Sequence, residues 1–185
     1  MLELVLFVLF DMGNVPNYKS KPDLKDCEHV LGRFCEGMIR NKTYEFSRDA
    51  FLKNLKSFCS EKLIELDIDV VFDVLKSNCI IVQRNSNFSF RFSYWIFYFA
   101  AKRMHSDKHF AEYVFEDDKY ISFPELVEFY TGIDRNRADA LSILTRDIRA
   151  TCDTVQEKIG LPDHMNPFRL LKWKPTETAI NKIQK

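Results

Sequence analysis

The stretch NFSFRFSYWIFYFAAKRM, residues 87–104, decides how the chain folds. Phe88, Phe90 and Phe92 alternate with polar residues, the two-residue period of a strand with one buried face. Residues 94–101 then run without a polar gap, which suits a helix buried on every side. A half-exposed strand that feeds a fully buried helix needs partners upstream and downstream, so both flanks must supply cover.

Upstream, CIIVQR and FSFRF are separated by NSN, the pattern of a β-hairpin with a short polar turn and strands of about six residues. Before it, Leu24, Cys27, Leu31, Phe34 and Met38 recur at steps of three and four, predicting a helix over 22–41 with Pro22 in its first turn. Gly32 and Gly37 weaken that helix by about 1 kcal/mol each relative to alanine. TYEF is a short β-prone piece. Ser47 then caps a second helix, whose inner face carries Ala50, Phe51, Leu55, Phe58 and Cys59. A third helix over 68–76 turns Val70, Val71, Val74 and Leu75 inward. The order helix, short strand, helix, helix, strand, strand is that of a winged helix.

Downstream the chain reads as helical. One helix covers 94–104 and ends on Lys102 and Arg103 against its negative pole. Another covers 107–116. SFPE has the spacing of a capping box, Ser122 at the cap and Glu125 three later, opening a helix that stops near Gly132. Leu141, Leu144, Ile148, Cys152, Val155 and Ile159 predict a long helix over 135–159, stopped by Gly160 and Pro162. The fold class expected is therefore mainly α with a small β-hairpin, a winged helix followed by a helical bundle. Residues 1–20 form an apolar N-terminal helix and linker, 21–93 the winged-helix domain, and 94–185 a helical domain with a basic C-terminal tail.

Composition narrows function. With 27 basic and 27 acidic residues the charges cancel, which disfavours a dedicated nucleic-acid or membrane binder. Five cysteines at irregular spacing, Cys27, Cys35, Cys59, Cys79 and Cys152, fit buried free thiols in a reducing cytoplasm rather than a disulfide framework. MLELVLFVLF has no basic n-region and carries Glu3, unlike a signal peptide. It falls short of the ~20 apolar residues that cross a bilayer. Its near-continuous apolar character calls for cover on most sides, as in a fragment whose natural covering lies upstream.

No pattern carries catalysis. Neither a GxxxxGK[ST] nor a GxGxxG loop occurs. His105 and His109 have metal spacing but lack an HExxH glutamate and a third ligand. The third helix, where a winged helix would meet DNA, carries Glu65, Asp67, Asp69 and Asp73 against Lys76 alone, the wrong sign for a phosphate backbone. Residues 107–128 hold seven acids and two lysines, and 166–185 hold five basic residues and one acid, opposite patches able to pair within the chain or with a partner. No catalytic, cofactor or metal residue is expected.

Phe88, Phe90, Arg91, Phe92, Tyr98, Phe99 and Ala100 lie in a stretch that reads as FxFRxxxxxxYFxA. That pattern resembles the junction after the winged helix in bacterial signal-transduction ATPases with numerous domains (STAND), the class that includes NACHT and NLR-like immune ATPases. The resemblance covers residues 21–104 and, more loosely, the helices beyond. It implies that Phe88, Phe90, Arg91, Phe92, Tyr94, Trp95, Tyr98 and Phe99 form a domain junction. It also implies a regulatory, non-enzymatic piece of a defence ATPase that acts by protein contact. Its partner would be a nucleotide-binding domain that would lie upstream of Met1. A winged-helix transcriptional regulator is the rival expectation.

Overall fold

The computed structural model describes residues 6, 8, 22–134 and 137–160. Two compact units emerge, Met1–Arg137 and Ala138–Lys185. The first contains α1 (Leu24–Asn41), β1 (Glu45–Phe46), α2 (Arg48–Lys62), α3 (Ile68–Ser77), β2 (Ile81–Arg84), β3 (Asn87–Phe90), α4 (Ser93–Ser106) and α5 (Lys108–Phe115). A 3-10 segment (Glu116–Ser122) and α6 (Pro124–Ile133) follow. The second contains α7 (Ala138–Ile159). The protein is mainly α, with one antiparallel sheet of order β1-β3-β2.

Short polar side chains set the helix starts. The Asp23 carboxylate accepts from the Lys25 and Asp26 amides at 2.8 and 3.1 Å and opens α1. Pro22 therefore precedes the cap instead of occupying the first turn. Ser47 caps α2 through the Ala50 amide at 3.1 Å, as its sequence predicts. The expected capping box at Ser122 does not form. Phe123 is the N-cap, without a side-chain bond, and Pro124 takes the first helical position. A proline there loses no hydrogen bond, because that amide lies outside the helical ladder in any case.

The hairpin is shorter than its sequence suggests. Each strand has four residues, and Asn85 makes the turn at φ 55°, a left-handed angle that asparagine tolerates. Phe90 pairs with Ile81 and Phe88 with both Gln83 and Phe46. The strand alternation stops before Phe92. Arg91 still donates its amide to the Ile80 carbonyl at 2.8 Å, but Phe92 becomes the N-cap of α4 and stands 49% exposed.

Phenylalanines from five elements meet in the core. Phe34 (α1) lies 5.0 Å from Phe46 (β1) and 4.9 Å from Phe51 (α2). Phe72 (α3) bridges Phe51 at 5.4 Å and Phe88 (β3) at 5.0 Å, both edge to face. Such pairs add about 0.5–1.5 kcal/mol each beyond the area they bury. Phe90 carries the cluster on to Phe99 of α4 at 6.2 Å.

The apolar run after the strand is explained by cover on two sides. α4 lies along α1 at Gly32, where an added Cβ would meet the Phe99 carbonyl at 2.9 Å and the Arg103 Cβ at 3.1 Å. On its other side, Phe97 faces Phe123 at 6.5 Å and Tyr98 faces Phe129 at 6.1 Å. Burial is not complete, since Tyr94 at the first turn is 36% exposed.

In the second unit Leu141, Ile148, Val155 and Ile159 are exposed, and Gly160 ends α7 at φ 63°. The expected start of this helix near 135 falls on residues outside those described. So does most of the apolar N-terminal helix, of which Leu6 is buried and Val8 exposed, and all of the basic tail. No helix among the described residues is long and apolar enough to cross a membrane.

The two glycines of α1 should behave oppositely. Gly32→Ala forces the α1–α4 contact apart and should cost about 1–3 kcal/mol, as overpacking does. At Gly37 a Cβ meets nothing within 4 Å. Gly37→Ala should therefore stabilise by about 0.5–1 kcal/mol through helix propensity. Urea unfolding of the two variants measures both.

Candidate functional site

The junction residues named from sequence separate into two groups. Phe88, Phe90, Trp95, Tyr98 and Phe99 are buried and hold β3 and α4 to the core. Arg91, Phe92 and Tyr94 are exposed where the strand turns into the helix. Phe92 and Tyr94 stack 5.4 Å apart at 10°, and the Arg91 guanidinium sits 5.4 Å from the Phe92 ring. The exposed group is a solvent-facing ladder of one cation and two rings, a composition typical of protein contacts.

A polar clasp that sequence reading missed joins α1 to α4. Glu28 and Glu36, four residues either side of Gly32, are buried on the face of α1 that meets α4. Tyr98 donates its hydroxyl proton to Glu28, and Lys102 reaches the other Glu28 oxygen at 3.3 Å. Glu36 holds Arg33 at 3.0 Å, Arg40 at 2.9 Å and Arg103 at 3.1 Å. Arg103 also pairs with Asp107, the N-cap of α5, whose carboxylate accepts from the Phe110 amide at 3.1 Å. Arg40 lies 4.1 Å over the Tyr113 ring, which ties α5 to the same hub. The spacing of two glutamates about a glycine was the available signal; it becomes meaningful only once α4 is known to cross there.

Electrostatics follow this geometry. Partial burial pushes the Asp107 carboxyl up, but the Phe110 amide and the Arg103 guanidinium outweigh it and hold the group below its usual range. Burial, helped by Arg103, holds the His29 imidazole below its usual range. Burial raises the Cys27, Cys35 and Cys59 thiols. Cys79 departs from the buried-thiol expectation. It is exposed in the turn after α3 at φ 56°, because the chain reverses there to start β2. Cys152 is intermediate.

The histidines at metal spacing diverge. His105 packs 4.6 Å from the Tyr130 ring, with Nε2 3.0 Å from its carbonyl oxygen, while His109 is exposed. A groove of about 890 Å³ runs between α1 and α2, floored by Phe34, Phe46, Leu55 and Phe58 and rimmed by Asn41 and Asn54.

Glu36→Ala leaves three arginines around an empty position and should destabilise the fold by about 3 kcal/mol, as loss of one partner from a buried ionic group does. Urea unfolding tests it, with Lys119→Ala as a surface control. Under native conditions a thiol reagent should label Cys79 first, and Cys27 and Cys35 only on unfolding. Mass mapping of the labelled peptides reads that order.

A family model described as Novel STAND NTPase 4 matches residues 44–100, just under a third of the chain. Searches of curated proteins and of solved structures returned no match. The matched segment runs from β1 through α2, α3 and the hairpin into α4, so it takes in the strand-to-helix junction and the core phenylalanines other than Phe34 of α1.

Proposed function

We propose that this chain is a non-enzymatic regulatory module, a winged helix with the helical region after it, of the kind found in bacterial STAND defence ATPases. It acts in the cytoplasm through protein contact, and its partner is a nucleotide-binding ATPase domain. The observation that carries this reading is the family match, which ends inside α4 and spans the junction FSFRFSYWIFYFA. Topology supports the winged helix: the elements come as helix, strand, helix, helix, strand, strand, and the sheet order is β1-β3-β2.

The same element order favours a DNA-binding regulator, but α3 argues against it. Ile68, Val70, Val71, Phe72, Val74 and Leu75 are all buried. Asp73 is exposed, and Asp69 is held by Arg48 at 2.9 Å and Lys56 at 2.6 Å. A helix so embedded offers little to a major groove and few free cations to phosphates.

Co-expression with STAND-type nucleotide-binding domains encoded beside it should give a complex that survives size-exclusion chromatography. Failure to bind any of them would overturn the partner assignment. A gel shift at low salt should show no retardation of duplex DNA, and salt-sensitive retardation would favour the regulator instead.

A further inference from the structure

We propose that two copies of this chain associate, the Arg91–Phe92–Tyr94 ladder of one covering the acidic, isoleucine-bearing surface of the 3-10 segment and α6 of the other. This pairing does not depend on the ATPase contact proposed above.

The ladder is half of a contact. Arg33, Arg40, Arg48 and Arg103 each hold a carboxylate at 2.9–3.1 Å. Arg91 makes no ion pair among the described residues, and its guanidinium rests only on the Phe92 ring. Phe92 and Tyr94 keep their stacked rings exposed although Phe90, two residues before Phe92, and Trp95, next to Tyr94, are buried in the core. Arginine beside rigid aromatic rings is the side-chain set that dominates binding energy when covered.

The complementary half lies on the same unit. Residues 116–134 contain six acids against one lysine. Lys119 is engaged by Glu116 at 3.2 Å and Asp117 at 3.3 Å. Asp118, Glu125 and Glu128 make no ion pair among the described residues. In their midst Ile121 stands 67% exposed. Like charge prevents two such surfaces from meeting each other. A surface that brings one guanidinium and two rings both neutralises carboxylates and covers Ile121.

Sedimentation velocity on the full chain over a concentration series tests the pairing. The wild type should self-associate, and more weakly in 0.5 M salt than in 0.1 M, a change that shortens the Debye length about twofold. Arg91→Glu should weaken association by about tenfold or more, and Glu125→Lys with Glu128→Lys should do the same. All three positions are exposed, and unchanged far-UV circular dichroism and Tm would show that the fold is intact. Mixing the two variants restores an Arg91–acid contact, so the mixture should associate where neither variant does alone. A monomeric wild type, an Arg91→Glu variant that associates as tightly as the wild type, or a mixture that stays monomeric would each overturn the proposal.

Discussion

The close crossing of α1 and α4 at Gly32 is the constraint on which the rest of the first unit depends. The Phe99 carbonyl and the Arg103 Cβ occupy the space a side chain would need, so the helices meet almost backbone to backbone. At that separation the residues four before and four after the glycine must face the partner helix as well. Both are glutamates. Buried carboxylates without partners would be costly, and α4 answers with Tyr98 and Lys102 at one end and Arg103 at the other. The crossing thus sets the register as well as the distance, since sliding α4 by one turn would part each acid from its partners.

That clasp joins two cores of different chemistry. On one side the phenylalanine cluster ties α1, α2, α3 and the sheet together through ring-to-ring contacts. On the other, α5 and α6 pack through mixed contacts, with Asp107 capping α5 while paired to Arg103 and His105 lying against Tyr130. α4 belongs to both, which is why its sequence lacks a polar stripe. The family match ends within this helix, between Tyr98 and the clasp cations Lys102 and Arg103.

The exposed ladder follows from the same geometry. β3 has to stop at Phe90 so that α4 can turn down onto α1, and the change of direction leaves Phe92 and Tyr94 outside. The strand period would place Phe92 with Phe88 and Phe90. It fails because periodicity describes a regular strand and cannot foresee where a neighbouring helix requires it to end. The capping box at Ser122 failed for a related reason: its spacing was right, but Pro124 moved the helix start by one residue.

What the sequence determined by itself was local. Apolar spacing marked α1 to α4, Ser47 marked the start of α2, and the hairpin was legible in two β-prone runs around a polar turn, because hydrophobic period and capping chemistry act between near neighbours. Tertiary structure alone decided which residues matter at the junction. Glu28 and Glu36 look like ordinary surface charges on an amphipathic helix, and Gly32 looks like a weak point in it. Their roles arise from a helix about seventy residues away in the chain, a separation at which contact depends on the whole packing and leaves no local pattern.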